Sequence, residues 1–440
     1  MAQATLNREI VRLAVPALGA LVAEPLFLIV DAALVGHLGI VPLAGLGIAA
    51  AILQTIVGLM VFLAYSTTPA VARRFGAGEH SSAVRAGIDG LWLALGLGAL
   101  LAVAGSALTP QLVGLFGASP EVAEQARIYL QLSMWGLPAM LIVFAATGLL
   151  RGMQDTVTPL WIAGFGFGTN ALLNWLFIYG LGWGIAGSAA GTVVAQWGMV
   201  GAYALVIGRL ARRHSASVLP QRDGVRGSAR SGGWLFLRTV SLRLALLATV
   251  AVATGLGTAE LAGWQVAFTI FSTAAFALDA LAIAAQALIG RGLGAADEPF
   301  VRRVLGRTVA WGLWFGIIVG AAIAALSGVI GLVFTGDPAL ASLVQPALLV
   351  LALAQPVCGV VFVLDGVLMG AGDARYLAIA GALNLVPYLP ALVVLALVAP
   401  KGASGLAWLA GCFFGVYMLA RLATLGWRVR RPEWLTAGAS

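Results

Sequence analysis

Hydrophobic residues in this chain occur in long continuous runs, not in the alternating patterns of a soluble protein. Runs of about 20 or more apolar residues recur along its whole length, and that is the length a helix needs to cross a bilayer. The runs predict twelve transmembrane helices, at approximately 10–36, 43–69, 86–108, 126–149, 160–180, 185–208, 234–256, 260–289, 304–326, 342–369, 376–398 and 404–427.

Composition supports the same class. The 440 residues are 61% hydrophobic and only 10% charged, and the mean hydropathy is +1.00. Because a soluble domain of this size requires a far more charged surface, the sequence predicts an all-α integral membrane protein. The first apolar run continues past Asp31 without a cleavage site of small residues, so we expect it to remain as a helix and not to be removed as a signal peptide.

The basic residues account for a net charge of +8. Apart from Arg243, which lies inside a predicted helix, they fall mainly in alternate connections, and the intervening connections hold only Arg127 and Lys401. This asymmetry follows the positive-inside rule and predicts a multi-pass protein of the cell (plasma or inner) membrane with both termini in the cytoplasm. Since the charge orients the chain in the membrane, we expect no nucleic-acid partner.

A polar segment divides the chain into two sets of six predicted helices. The boundaries are an N-terminal lobe at 1–208, a cytoplasmic inter-lobe loop at 209–233, a C-terminal lobe at 234–427 and a cytoplasmic tail at 428–440. Shifting the sequence by 218 residues aligns the two halves without a gap, which indicates an ancient duplication. The aligned pairs include Gly39 with Gly257, Gly148 with Gly366, Gly152 with Gly370 and Asp155 with Asp373.

The duplication has a mechanical consequence. Because six is an even number of crossings, both halves have the same orientation, and two such pseudo-symmetric six-helix lobes can enclose a cavity that opens to either side of the membrane. This arrangement is typical of transporters that work by alternating access. The alternative is a symmetric helical bundle that serves only as a scaffold.

Several polar residues lie within the predicted helices of the N-terminal half. An ionisable group in the hydrocarbon costs about 2.5–3.5 kcal/mol on insertion scales and indicates a function. Glu24 and Asp31 are seven residues apart and share one face of the first helix, and Asn170 and Asn174 lie one turn apart on the fifth. The carboxylates and amides could bind a cation. Alternatively, Glu24 is a protonated group at a helix bend, and the amides hold helices together.

Two threonines, Thr147 and Thr192, are weaker candidates on adjoining helices, since a threonine in a helix often bonds to its own backbone. The C-terminal half has a polar set of its own, formed by Arg243, Asp279 and Asp365. One cation and two carboxylates predict a buried cluster with one negative charge left for titration or for a substrate. The alternative is a purely structural ion network.

No pattern indicates a metal, a cofactor or an enzyme. Cys358 and Cys412 lie in different apolar runs, and the three histidines fall in predicted loops or helix ends without the spacing of metal ligands. The chain contains no HExxH, no GxSxG and no paired-carboxylate motif of prenyl-transferring enzymes. We therefore expect no catalytic residues, no metal site and no cofactor.

Four segments resemble a known family. PLFLIVDAALVGHLG in the first helix, FGAGE after the second, LLRGMQDTVTP after the fourth and LDGVLMGAGDAR after the tenth resemble multidrug and toxic compound extrusion (MATE) transporters, and most of all their bacterial DinF-like branch. The resemblance implies twelve helices in two lobes. It also implies a monomer in the lipid bilayer that exports small organic compounds, often cationic, driven by an inward flow of protons or sodium.

The resemblance also implies roles for particular residues. Asp31 takes the place of the first-helix aspartate central to coupling, Asn170 and Asn174 that of the polar pair on the fifth helix, and Thr192 that of a sixth-helix hydroxyl. Because Asn174 stands where some relatives have an acid, the coupling ion is left open between proton and sodium. We expect Asp31, Asn174 and Thr147 to line the substrate cavity.

A second function remains open, a flippase or exporter of lipid-linked or amphipathic metabolites from the same superfamily. A flippase of this kind should carry several basic residues in its cavity, and Arg243 is the only one found inside a predicted helix. Burial disfavours the charged form of a carboxyl group, so Asp31 could exchange a proton near neutral pH, as a proton-driven exporter requires.

Overall fold

The computed structural model describes residues 2–334 and 338–438. Within these residues it contains twelve helices long and apolar enough to cross a membrane and no strand, which confirms the predicted fold class. In chain order the helices are α1 Thr5–Gly36, α2 Ile40–Gly76, α3 His80–Gly114, α4 Pro120–Gly152, α5 Val157–Gly180, α6 Gly184–Arg213, α7 Arg222–Leu256, α8 Thr258–Gly294, α9 Glu298–Phe334, α10 Pro338–Gly370, α11 Ala374–Val398 and α12 Ala403–Val429.

The predicted inter-lobe loop at 209–233 is too long. Helix α6 continues to Arg213 and α7 already begins at Arg222, so only residues 214–221 connect them. A hydrophobic run marks the part of a helix that matches the lipid, whereas the backbone hydrogen bonds of the helix continue beyond it into polar sequence. The tail predicted at 428–440 likewise contains a short 3₁₀ turn, Pro432–Trp434.

The connection between α6 and α7 is packed against α3. The Asp89 carboxylate accepts a hydrogen bond from the backbone N–H of Gln221 at 2.8 Å, next to the first turn of α7. The Trp92 indole donates to the backbone carbonyl of Val218 at 3.0 Å. A carboxylate at this position satisfies a backbone donor at the start of a helix, which explains why α7 begins within a polar sequence.

Backbone contacts divide the chain into two compact units. One comprises Val15–Gly232, here called the N-terminal unit, and the other comprises Gly233–Gly438 together with the residues up to Ala14, here called the C-terminal unit. The division at residue 233 coincides with the end of the predicted inter-lobe segment. The start of α1 belongs to the C-terminal unit, where Glu9 accepts a hydrogen bond from Arg291 at 2.8 Å.

The 218-residue repeat is visible in the backbone. Four connections of the N-terminal unit contain a residue with positive φ, and the residue 218 positions later also has positive φ. Such a conformation is rare enough that its recurrence in one register reflects a common backbone plan. The pairs are Gly39 with Gly257, Gly78 with Ala296, Gln154 with Gly372 and Gly184 with Gly402.

Close helix contacts recur in the same register. A Cβ atom added at Gly148 of α4 would lie 2.8 Å from the backbone oxygen of Ala64 in α2, and one added at Gly366 of α10 would lie 2.5 Å from that of Ala282 in α8. Each residue of the second contact lies 218 positions after its counterpart. Small residues at these positions let the helices approach closely, as is common in membranes.

These contacts predict a position-dependent effect of adding one methyl group. Gly366→Ala should lower the free energy of unfolding by about 1–3 kcal/mol, because the new methyl group meets backbone that cannot move aside without shifting a helix. Gly306→Ala, on α9 of the same unit, is the matched control, because nothing lies within 4 Å of its added Cβ. Unfolding in detergent, followed by tryptophan fluorescence, compares the two. Equal stability of both variants would contradict the close contact.

Candidate functional site

The first candidate site centres on Asp31, five residues before the end of α1 and only 3% exposed. One oxygen of its carboxylate accepts hydrogen bonds from the Asn174 amide at 2.8 Å and the Ser188 hydroxyl at 2.5 Å. The other accepts from the Tyr129 hydroxyl at 3.2 Å. Three donors from α4, α5 and α6 therefore satisfy a buried carboxylate on α1.

Thr192 of α6 connects the two asparagines of α5. Its hydroxyl oxygen accepts a hydrogen bond from the Asn170 amide at 2.9 Å and a longer one from the Asn174 amide at 3.5 Å. The structure thus brings together Asp31 and the three other residues that the sequence grouped with it, Asn170, Asn174 and Thr192. All of them are buried.

Two acceptors in this network have no partner. Among the described residues, the amide oxygens of Asn170 and Asn174 are buried and make no hydrogen bond. A buried polar atom without a partner costs free energy and is uncommon in a folded protein. The network therefore holds one carboxylate and two amide oxygens that can receive a proton donor or a cation.

The close approach of α5 and α6 positions this network. A Cβ added at Gly191 of α6 would lie 2.9 Å from the backbone nitrogen of Asn174, and one added at Gly187 would lie 2.8 Å from the backbone oxygen of Phe177. Directly after Asn174 and Trp175, α5 changes to a π-helical turn, Leu176–Gly180. Turns of this kind are frequent at functional sites, where they redirect side chains.

Sequence reasoning missed two members of the network, Ser188 and Tyr129. A signal for Ser188 was present, because it lies four residues before Thr192 and therefore on the same face of α6. No pattern pointed to Tyr129, whose hydroxyl reaches Asp31 across 98 residues of sequence.

The structure places Glu24 and Thr147 elsewhere. Glu24 lies about two turns before Asp31 on α1, is half-buried, and makes no hydrogen bond within the described part of the chain. The Thr147 hydroxyl pairs with that of Tyr203 at 2.9 Å and does not join the Asp31 network.

The second candidate site lies in the C-terminal unit and differs from the prediction. Asp365 of α10 is buried and forms an ion pair with Arg238 of α7 through both carboxylate oxygens. One of those oxygens also accepts from Arg421 of α12 at 3.1 Å. Both arginines are buried as well.

The predicted buried cluster of Arg243 with Asp279 and Asp365 is therefore wrong. Arg243 is exposed, and Asp279 is half-buried on α8. Arg238 and Arg421 were assigned to cytoplasmic connections because they lie near the polar ends of the apolar runs. Both residues nevertheless lie within the predicted helices 234–256 and 404–427, and the structure shows that their side chains are buried. The ions around Asp365 are two cations and one anion, the reverse of the predicted balance.

The two units carry charge at different positions of one plan. Subtracting 218 from Asp365 and Arg421 gives Thr147 and Tyr203, which make a neutral hydroxyl pair in the N-terminal unit. Adding 218 to Asp31 gives Thr249, whose hydroxyl pairs with that of Tyr388 at 2.5 Å. Each unit thus has one centre with a buried carboxyl group and one neutral hydroxyl pair, with the positions exchanged.

Comparison with known proteins shows the family. The MatE family model matches residues 16–176 and 236–391, one segment in each half of the duplication. The chain belongs to the MatE family, the multidrug and toxic compound extrusion transporters, and it is a multi-pass membrane protein.

Two relatives and one solved structure illustrate the similarity. The chain is 30% identical to Protein DETOXIFICATION 44, chloroplastic, of Arabidopsis thaliana over 96% of this chain and 82% of that protein. It is 29% identical to DNA damage-inducible protein F of Escherichia coli over 66% of this chain and 64% of that protein, which supports the DinF-like resemblance. The fold matches the Vibrio cholerae MATE transporter VcmN in the bent form, with a TM-score of 0.85 and 22% identity. The match covers 96% of this chain and 98% of that structure.

The ion triad of the C-terminal unit predicts strong coupling between its members. Asp365→Asn should lower the free energy of unfolding by about 3–5 kcal/mol, because it leaves two buried guanidinium groups without their carboxylate. The double variant Arg238→Gln with Asp365→Asn should lose less than the sum of the two single losses. Arg243→Gln is the control and should change stability by less than about 0.5 kcal/mol. Additive losses, or a large loss in the control, would contradict this pairing; the measurement is denaturant unfolding in detergent.

Proposed function

We propose that this protein is a secondary active antiporter that exports organic, cationic or amphipathic compounds in exchange for protons or sodium, by alternating access of two lobes. Family membership supports export of such compounds. The observation that carries the coupling proposal is the buried carboxylate of Asp31, held by three donors beside two amide oxygens without partners. The transporter is proposed to act as a monomer and without a cofactor.

The network suits a carboxyl group that alternates between two states. When ionised, Asp31 only accepts hydrogen bonds, and the donors from Asn174, Ser188 and Tyr129 stabilise its charge. When protonated, it becomes a donor and needs an acceptor. The amide oxygens of Asn170 and Asn174 are available acceptors in the same network, because they have no hydrogen-bond partner among the described residues.

The same oxygens leave sodium as a second possibility for the coupling ion. A carboxylate together with amide oxygens is a ligand set that suits a hard cation. A proton or a sodium ion bound to Asp31 would neutralise its charge in the same way. Efflux from proteoliposomes with a pH gradient or a sodium gradient imposed separately distinguishes the two ions.

The energy available is sufficient for useful export. One positive charge that moves inward across the membrane supplies about 2.3 kcal/mol per 100 mV. At about 1.4 kcal/mol per tenfold ratio, this sustains a concentration ratio of order 40–50. Coupling then requires only that ion and substrate stabilise different conformations, since a ligand shifts an equilibrium by its differential affinity.

One observation favours the second function, a flippase or exporter of lipid-linked or amphipathic metabolites. Arg238 and Arg421 are two buried cations that the sequence did not suggest, and an anionic headgroup would pair with them. Proteoliposomes with a fluorescent anionic lipid distinguish this function. Ion-gradient-independent movement of the lipid between leaflets, without export of cationic dyes, would favour the flippase.

The coupling proposal predicts the effect of neutralising Asp31. Asp31→Asn should fold normally, because it removes a buried ionisable group and keeps its size. It should lose gradient-driven export almost completely and lose the pH dependence of substrate binding near neutrality. The measurement is dye efflux from proteoliposomes, together with substrate binding as a function of pH.

Glu124→Gln is the matched control for this prediction. It removes a carboxylate from the same unit, but Glu124 is exposed and pairs with Arg127 one turn away, so export should be unchanged. Uphill export by a well-expressed Asp31→Asn protein would exclude Asp31 as the coupling carboxylate.

We also propose that both termini face the cytoplasm of the plasma or inner membrane, since the basic connections then lie inside. In this orientation residues 214–221 are cytoplasmic and residues 115–119 are external. Ser217 and Ser119 are exposed residues of these two connections, so each can report on one side of the membrane.

This orientation is tested by cysteine labelling in intact cells, with both native cysteines changed to alanine. Ser119→Cys should react with an impermeant thiol reagent added outside, whereas Ser217→Cys should react only after the cells are permeabilised. The reverse pattern would overturn the proposed orientation.

A further inference from the structure

A small polar cavity lies beside the ion triad of the C-terminal unit. Its volume is about 10 Å³, measured as the space that the centre of a water molecule can occupy, so it holds about one water-sized group. Its polar lining comprises Arg238, Asp365, Asn384, Tyr417 and Arg421, and apolar residues of α7, α11 and α12 complete the wall.

The lining has more positive than negative charge. Two guanidinium groups face the cavity with one carboxylate, so the side chains that line it carry one excess positive charge. The Asn384 amide oxygen is already engaged, because it accepts a hydrogen bond from the Thr424 hydroxyl at 3.0 Å.

A donor without a partner points to an anionic occupant. Tyr417 is 1% exposed and lines the cavity, and among the described residues its hydroxyl has no hydrogen-bond partner. A buried hydroxyl without a partner costs free energy, and an anion in the cavity would accept from it. Charge-assisted hydrogen bonds of this kind are stronger than neutral ones.

The fold does not require this charged lining. The positions 218 residues earlier are Ala20 for Arg238, Met199 for Tyr417, Thr147 for Asp365 and Tyr203 for Arg421. The N-terminal unit therefore forms the same arrangement of helices with uncharged side chains at these four positions. The charged lining is therefore not a requirement of the arrangement of helices that the two units share.

We propose that this cavity binds a monovalent anion of about the size of a water molecule, a halide such as chloride, between the guanidinium groups of Arg238 and Arg421 and the hydroxyl of Tyr417. The anion balances the second guanidinium group, while Asp365 balances the first. The inference is independent of the coupling role of Asp31, since all lining residues belong to the C-terminal unit.

The test uses the full-length protein in nanodiscs of phosphatidylcholine, which contain no anionic headgroup. Sodium chloride is compared with sodium formate and sodium gluconate at equal ionic strength, and unfolding is followed by tryptophan fluorescence. A ligand that binds only the folded state raises Tm in a saturable way. Chloride should do so, whereas formate and gluconate should not, because both are larger than the single water-sized group that the cavity holds.

Three variants separate binding from a general salt effect. Tyr417→Phe should fold normally and raise the half-saturating concentration about tenfold, equivalent to about 1.4 kcal/mol. Tyr388→Phe is the matched control, because it removes a buried hydroxyl of the same unit that pairs with Thr249 and lies outside the cavity lining. It should leave the half-saturating concentration unchanged. Asp365→Asn should bind chloride more tightly, because the competing carboxylate is gone.

Two outcomes would overturn the proposal. One is a Tm that does not depend on chloride in a saturable way. The other is the same half-saturating chloride concentration in the native protein and in Tyr417→Phe.

Discussion

The arrangement of the N-terminal unit depends on how one buried carboxylate is satisfied. An ionised group in an apolar surrounding is unstable unless donors replace its water. Asp31 receives three such donors, and they come from three different helices. This requirement fixes the position of α1 relative to α4, α5 and α6, and it explains why glycine is needed where α6 passes Asn174. The side chains that are proposed to serve coupling therefore also hold these four helices together.

Duplication gave both units one backbone plan, and divergence then changed their polar chemistry. The same left-handed residues and close helix contacts occur in both units at one offset. The position of Asp31 in the N-terminal unit corresponds to Thr249, which pairs with Tyr388 in the C-terminal unit. The position of Asp365 in the C-terminal unit corresponds to Thr147, which pairs with Tyr203 in the N-terminal unit. Neither hydroxyl pair carries charge at neutral pH. The polar centre of the N-terminal unit thus contains a carboxyl group, and that of the C-terminal unit contains an excess of guanidinium groups.

Hydrophobic patterning was sufficient to predict the twelve helices, because lipid imposes length and apolarity on every crossing. Residue identities at an offset of 218 predicted the repeat. The grouping of Asp31 with Asn170, Asn174 and Thr192 came from a family resemblance together with helix periodicity. Side-chain pairings between helices were harder to predict from the sequence. Arg238 and Arg421 lie near the ends of predicted helices and were grouped with the basic connections, because sequence position does not show whether a charged side chain faces a buried carboxylate or the polar connection. Tyr129 had no signal at all, because a hydroxyl at the end of a long aromatic side chain makes no local pattern.

The central claim is that Asp31 gains and loses the coupling proton as substrate binds. Infrared difference spectroscopy of the reconstituted protein measures this directly, since the carbonyl stretch of a protonated carboxyl group is distinct from that of a carboxylate. Substrate binding should remove the protonated-carboxyl band in the native protein, and Asp31→Asn should show no such change. The same band change in Asp31→Asn would show that another carboxyl group carries the proton and would contradict the account.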